Sequence, residues 1–275
     1  MDFSIITPSF RNGQWLRLCI ASVADQEGVS HEHIVQDGGS DDGTLDWLIG
    51  ERRVRVFVEK DCGMYDAINR GLKRAQGELL AYLNCDEQYL PGALAAVKEF
   101  FAAHPQTEVV FADTVVVDAD GRFVAYRKAI VPCRAHVWVS LLPTPSCAMF
   151  FRRSIITQRK LFFDANWRCA GDAAWMLKLL DQGVRMAVLR RYTSAFTSTG
   201  GNLGSGQEAL QEKKLLRATA PRWMRVLAPW WVVQHRLRKW WQGCYRQEPF
   251  AYEIYTLSQP DRRTRFEVAH PSFRW

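Results

Sequence analysis

No uninterrupted apolar stretch in the sequence approaches the roughly 18 residues of a membrane-spanning helix, so the chain is not expected to cross a bilayer as a helix. A basic and then apolar leader is also missing. The first strand pattern begins at Phe3, which predicts residence in the cytosol. The seven cysteines (Cys19, Cys62, Cys85, Cys133, Cys147, Cys169 and Cys244) are odd in number and never spaced C-x-x-C. That argues against a zinc site or a disulfide framework and for reduced thiols. None of the six histidines has the spacing of a metal pair; His31 and His33 flank a strand start and read as structural. No internal repeat is evident. From Lys213 to Gln247 there is not one acidic residue.

What is present describes a folded chain. Hydrophobic residues make up 48% and charged residues 24%, which excludes both a disordered chain and a membrane-embedded one. With 275 residues, one large domain or one domain with an appendage is expected. The net charge of +7 is concentrated in the acid-free segment, which holds nine basic residues (Lys213, Lys214, Arg217, Arg222, Arg225, Arg236, Arg238, Lys239 and Arg246) and leaves the remainder slightly acidic.

Residues 1 to about 110 alternate strand and helix patterns, which predicts a parallel, Rossmann-like sheet. Strands are expected at Phe3 to Thr7, His33 to Gln36, Val54 to Glu59 and Leu79 to Leu83. The helices between them carry Leu16, Cys19, Ile20 and Val23, then a segment capped by Thr44, then Ala67, Ile68, Gly71, Leu72 and Ala75. A fourth follows Pro91. Beyond this point Val109 to Val117 and Phe123 to Arg127 read as strands joined by a turn, Ser146 to Arg152 as a strand, Gly171 to Leu180 as a helix and Val184 to Leu189 as a strand. Thr197 to Gly206, rich in Gly and Ser, makes a candidate mobile loop that folds over a ligand, or else a passive linker. In the C-terminal quarter, positions 223, 227, 230, 234, 237 and 241 form a mostly apolar stripe facing away from Arg225, Arg236 and Lys239, with Pro229 breaking or restarting the helix. Tyr252 to Trp275 reads as two short strands around Pro260 and Asp261.

The chemistry concentrates where LLAYLNCDEQYL, residues 79–90, passes from an apolar strand into Asn84, Cys85, Asp86 and Glu87. Hard oxygen ligands at the carboxyl end of a parallel strand suit Mg²⁺ or Mn²⁺ and the handling of a diphosphate. Cys85 reads as a small filler rather than a ligand, because a thiolate prefers softer metals.

With FSIITPSFRN at 3–12, HIVQDGGSDDGT at 33–44, EKDCGMYDAINRGLKRAQGE at 59–78 and FDANWRCAGDAAWMLKLL at 163–180, all in order, the chain resembles the family 2 glycosyltransferases of the GT-A fold over residues 3–205. Within that family it is similar to bacterial enzymes that build cell-surface polysaccharide and lipopolysaccharide. The resemblance implies a catalytic domain over 1–206, with a nucleotide-binding half at 1–110 and an acceptor-side half at 111–206, followed by amphipathic helices and short strands over 207–275. It places the nucleotide-binding aspartate at Asp37, a second nucleobase contact at Asp61 and phosphate neutralisation at Arg70. Thr7, Pro8, Asp66, Asn69, Asn84, Glu87, Gly200 and Gly201 are expected to complete the donor site.

Asp86 matches the last aspartate of the family's D-x-D metal motif, and Asn84 replaces the first, which weakens the expected hold on Mn²⁺ or Mg²⁺. Asp172 matches the family's acceptor-side general base. Local readings stand beside these: Asp37 capping the Gly38-Gly39-Ser40 turn, Asp66 and Asn69 bracing their helix, and Asp172 capping its own. The function implied is inverting transfer of a hexosyl or N-acetylhexosaminyl group, from a nucleoside diphosphate sugar (UDP-linked by resemblance) to a lipid-linked or glycan acceptor. Two alternatives are a non-catalytic sugar-nucleotide binding protein and a nucleic-acid binder using the basic tail, although no nucleic-acid motif accompanies it. Residues 213–247 are expected to attach the protein to the anionic cytoplasmic face of the inner membrane, or else to pack on the catalytic domain or a second subunit.

Overall fold

The computed structural model describes residues 1–200, 202 and 206–273. The first half alternates as the hydrophobic pattern requires. Strands β1 (Phe3–Ser9), β2 (His31–Asp37), β3 (Arg55–Val58) and β4 (Leu79–Tyr82) are separated by helices α1 (Gly13–Ala24), α2 (Thr44–Leu48) and α3 (Met64–Arg74). All four strands are parallel in the order β3-β2-β1-β4, so their carboxyl ends form one edge. Every residue of β1 and β4 is buried, as continuous apolar runs sandwiched by helices must be. Helix α3 lies close on β1 because Gly71 has no side chain: a Cβ there would stand 2.5 Å from Ile6 Cγ2.

A short strand β5 (Glu87–Tyr89) and helix α4 (Ala93–Ala103) lead into β6 (Val109–Val117), which forms a hairpin with β7 (Phe123–Arg127). Helix α5 (Arg134–Val139), strand β8 (Met149–Arg152), helix α6 (Ser154–Thr157), helix α7 (Gly171–Asp181) and strand β9 (Met186–Thr197) follow. β8 runs antiparallel between β4 and β6, and β9 joins β6 to β5, closing a nine-stranded mixed sheet with β7 beside β6. Two expectations are corrected here. Ser146–Ala148 is a 3-10 turn, and only Met149–Arg152 pairs as strand. β9 extends to Thr197 although residues 190–194 are polar. The strand tolerates them because Arg190 donates to Asp113 at 3.1 Å and to the Ala129 carbonyl at 2.5 Å, so part of its polar content is satisfied within the sheet.

The C-terminal region comprises α8 (Gln207–Ala218), α9 (Arg222–Val226), α10 (Ala228–Trp241) and the antiparallel pair β10 (Phe250–Thr256) and β11 (Gln259–Val268). Pro229 sits in the first turn of α10, where its missing N–H costs nothing. The hairpin turns at Leu257 and Ser258, not at Pro260 and Asp261, which fall inside β11. Arg263 of β11 is clamped between Asp25, at 2.6 and 2.7 Å, and the carbonyls of Tyr89 and Glu253, which fastens the hairpin to the end of α1. No helix among the described residues is long and apolar enough to cross a membrane.

Candidate active site

The carboxyl ends of the parallel strands open into a cleft of about 1490 Å³ whose far wall is α7, α5 and α8. Asn84, Asp86 and Glu87 line it beyond β4, Asp61 beyond β3, and Asp172 opposite, at the start of α7. The segment before α7 is tied to α3, where Asn69 bonds the Phe163 carbonyl and Tyr65 the Cys169 carbonyl, and this brings residues more than eighty positions apart to one chamber.

On the donor side, Pro8, Gly38, Asp61 and Gly200 line the cleft. Asp61 accepts the Gly63 N–H at 2.8 Å, and burial raises its carboxyl above the ordinary range. Its other oxygen lies so close to Gly38 that a Cβ there would stand 2.9 Å away. Gly201 lies outside the described residues.

Several expected donor residues are spent on the fold instead. Thr7 is fully buried, with its hydroxyl 2.8 Å from His33 Nε2, and does not line the cleft. Asp37 is also fully buried. Its Oδ1 accepts the N–H groups of Gly39 and Ser40 at 2.9 and 2.7 Å, while its Oδ2 accepts the hydroxyls of Ser9 and Ser40 at 2.8 and 2.9 Å. Four donors occupy this carboxylate, so Asp37 holds the turn that presents Gly38, as its local reading has it. Asp66 accepts the Cys62 N–H and pairs with Arg70 at 2.8 Å, and Arg70 also faces Glu59 at 3.6 Å. Neither residue lines the cleft. Asn69 exchanges both of its amide hydrogen bonds with the backbone of Phe163, at 2.9 and 3.0 Å, and so pins the segment leading to α7.

At the end of β4, the Asn84 N–H donates to Glu87 Oε2 at 2.8 Å, and Asp86 Oδ2 accepts from Asn202 Nδ2 at 3.0 Å. Burial raises the carboxyl of Asp86; burial and then the charge of Asp86 raise that of Glu87. Two acceptor oxygens here, Asn84 Oδ1 and Glu87 Oε1, are buried without a hydrogen-bond partner. Unsatisfied oxygens beside a carboxylate fit a hard cation. Among the described residues no group of three His, Cys, Asp or Glu forms a cage, so such an ion would take its remaining ligands from water and phosphate, as Mg²⁺ commonly does. Cys85 is buried and donates to the Pro8 carbonyl at 3.2 Å, in keeping with a filler.

Across the cleft, Asp172 lies in the first turn of α7, whose N-cap is Ala170; it accepts the adjacent Ala173 N–H at 2.7 Å and still faces the chamber. Burial raises its carboxyl above the usual range, against the pull of that N–H and the charge of Lys213. Two features fix its place. Gly171 packs flat on Tyr65, where a Cβ would come within 2.5 Å of the ring. Glu212 of α8, only 8% exposed, accepts the N–H groups of Arg168, Cys169 and Ala170, each at 2.7 Å. Glu212 thus holds the turn that delivers Asp172.

The cations of the cleft are not those expected. Lys60, Arg127, Arg168 and Lys213 line it, from four separate segments. Lys60 stands next to the expected Asp61 and was legible as a neighbour; Arg127, at the end of β7, and Lys213, on α8, carry no local pattern that assigns them to the site. Glu212 and Tyr65 were likewise missed, although Tyr65 lies within the quoted 59–78 motif.

The profile of glycosyl transferase family 2 matches residues 4–174. The chain belongs to that family. It is 34% identical over 128 residues to a Mycobacterium tuberculosis H37Rv PGL/p-HBAD biosynthesis glycosyltransferase, covering 44% of this chain and 50% of the relative. It is 36% identical over 102 residues to TuaG of Bacillus subtilis, a glycosyltransferase assigned to teichuronic acid biosynthesis, covering 35% of this chain and 40% of that one. The chain thus spans half or less of these relatives' length. Among solved structures, S. aureus TarS 1-349 in complex with UDP superimposes with a TM-score of 0.58 at 21% identity, over 79% of this chain and 64% of that one. A Pyrobaculum calidifontis mannosyltransferase in complex with GDP-Man and Mn²⁺ gives 0.55 at 15% identity, over 86% and 75%. These likenesses show the GT-A fold, a curled mixed sheet with flanking helices.

Proposed function

We propose that the protein is an inverting glycosyltransferase that moves a sugar from a nucleoside diphosphate donor to an acceptor hydroxyl. The observation that carries this reading is the facing of Asp86 and Asp172 across one cleft, one beside the oxygens suited to a diphosphate and its ion, the other free to take a proton. In the step proposed, the acceptor oxygen attacks the anomeric carbon as its proton passes to Asp172. The bond from that carbon to the diphosphate oxygen breaks on the opposite face, and the electron pair leaves with the diphosphate. A single displacement inverts the centre. Lys60 and Arg168 are suited to offset the charge of the leaving group. When bound, a divalent ion held by Asp86, with Asn84 and Glu87 beside it, would neutralise charge on the diphosphate oxygens.

UDP as the nucleotide is supported by the TarS complexes with UDP and UDP-GlcNAc, and the same complexes favour a hexosyl or N-acetylhexosaminyl donor. Relatives in PGL/p-HBAD and teichuronic acid biosynthesis support a lipid-linked or glycan acceptor; the place of action in this reading is the cytoplasmic face of the inner membrane.

The test is Asp172→Asn, which keeps the shape but cannot take a proton. It is expected to retain UDP binding by calorimetry while transfer falls by about 10² to 10⁴. Near-normal transfer by this variant would remove the reading.

A further inference from the structure

Helix α10 is built with its polarity reversed. Toward the catalytic body it presents Ala228, His235 and Lys239, all buried, and the Arg238 guanidinium donates to the Val131 carbonyl at 2.9 Å. Toward solvent it presents Trp230, Val233, Leu237, Trp240 and Trp241, which are 57, 47, 56, 65 and 85% exposed. The preceding turn and α9 add exposed Trp223, Val226 and Leu227. Of the expected stripe, Trp223, Leu227, Trp230, Leu237 and Trp241 face outward, joined by Val233 and Trp240, whereas Gln234 is half-buried and Arg236, expected on the opposite side, is exposed beside them. A surface helix ordinarily buries its apolar side; α9 and α10 bury Met224, Ala228 and part of Trp231 against α5 but leave the larger part of their apolar surface in solvent, which marks a surface completed by something outside the chain.

The geometry points to an anionic lipid bilayer as the occupant of this face. Charge complementarity selects it. Exposed Arg236 lies on the helix surface between Val233 and Trp240, at three and four residues' spacing. Exposed Arg222 precedes Trp223, exposed Lys214 and Arg217 lie on α8, and no acidic residue interrupts 213–247. A second copy docked face to face would set this positive rim against itself, whereas lipid phosphate meets it with opposite charge. Tryptophan, with an apolar ring and one N–H, suits the headgroup depth of such a surface. The same run of helices reaches the reaction chamber: Glu208, Lys213 and Leu216 of α8 line the cleft on the Asp172 side. The acceptor class that follows is a hydroxyl carried on a membrane lipid, and this part rests on the transfer reading.

Flotation of the full chain with vesicles tests the surface without requiring turnover. Phosphatidylcholine vesicles containing phosphatidylglycerol are expected to carry the protein upward, phosphatidylcholine alone to leave it behind, and high salt to release it. Arg222→Gln and Arg236→Gln should each weaken binding about fivefold. The triple variant Trp230→Ser, Trp240→Ser, Trp241→Ser should weaken it by about tenfold or more. These positions are exposed, so the folded state is expected to persist, checked by an unchanged far-ultraviolet circular dichroism spectrum. Three results would overturn the proposal: no flotation with either vesicle, flotation indifferent to charge and to the triple variant, or a lipid-free dimer that the triple variant dissociates. UDP binding by calorimetry in lipid-free buffer separates the two readings. Flotation without UDP binding would remove the transfer reading and leave the docking surface; UDP binding without flotation would do the reverse.

Discussion

Glu212→Ala removes the carboxylate that accepts three N–H groups, at 2.7 Å each, from the turn before α7. A buried donor left unpaired costs about 1 to 3 kcal/mol, and bonds to a charged acceptor lie at the upper end of that scale. Three such donors would exceed 3 kcal/mol if all stayed buried. Arg168 is exposed and Cys169 only partly buried, so water recovers some of the loss, and about 2 to 4 kcal/mol is the expected cost. Urea denaturation should show this as a lower midpoint at an unchanged slope, since little surface is added to what unfolding exposes.

The kinetic consequence is separable from the thermodynamic one. Asp61 and Asp86 stand on loops after β3 and β4, with no hydrogen bond to Glu212, so the Michaelis constant for the donor should change little. Turnover should fall by about 10², the scale of a displacement near 1 Å at a reacting group. Glu212→Gln, which keeps one acceptor oxygen, should lie between the two. A Glu212→Ala protein with the wild-type midpoint and turnover would refute the claim that α8 holds Asp172 in place.

Asp86→Ala should weaken donor binding and abolish any stimulation by Mn²⁺, with calorimetry in the presence and absence of the ion as the check. Asp37→Ala should weaken nucleotide binding regardless of metal, because three hydrogen bonds to the Gly38 turn and one to Ser9 are lost, and it should also lower the melting temperature. The pH profile of transfer should carry its acid limb above the ordinary aspartate range, since burial raises the Asp172 carboxyl and the base acts only when deprotonated; in Asp172→Asn that limb should vanish. His136 and His235 stack with ring centroids 3.8 Å apart, and burial lowers their pKa values to about 4 and about 3. The unfolded chain takes up protons below 6.5 more readily than the folded one, so stability is complete above that value and should fall as pH drops toward 4. Denaturation of His136→Phe, His235→Phe between pH 7 and 5 should lack this slope.

The four-strand alternation, the helix pattern of α3 and the position of Asp172 at the start of α7 were legible because each depends on local periodicity and on strand ends, which short windows of sequence record. The roles of Asp37, Asp66, Asn69 and Arg70 were less so: turn-capping by Asp37 and local bracing by Asp66 and Asn69 stood only as alternatives to ligand contact, and the pairing of Arg70 with Asp66 was not read. A pattern gives the place of a carboxylate along the chain and is silent about which groups compete for its lone pairs. At Asp37 the winners are Gly39, Ser40 and Ser9, all within the quoted motifs. At Asn69 the partner is Phe163, ninety-four positions away, and no window contains both. The cationic lining failed for the same reason, since Arg127 and Lys213 meet only after β6, β7 and α8 are placed around α7.

The C-terminal helices separate two questions that amphipathicity alone merges. Spacing at 223, 227, 230, 234, 237 and 241 defines a stripe but not the side on which the body lies. That choice belongs to the partner surface. Here α5 offers His136 for His235 to stack on, and the segment before it offers the Val131 carbonyl to Arg238. Lys239 sits against the rings of Tyr245 and Phe273, 5.8 and 4.7 Å from their centroids. A contact built from stacked imidazoles, a guanidinium and an ammonium over aromatic faces gains less from water exclusion than an apolar seam of the same area. Beside that contact only Ala228 and part of Trp231 pack on α5, while Trp230, Trp240 and Trp241 stay outside, so the larger hydrophobic gain is still to be made, and a lipid headgroup layer bordered by Arg222 and Arg236 is where this face can make it.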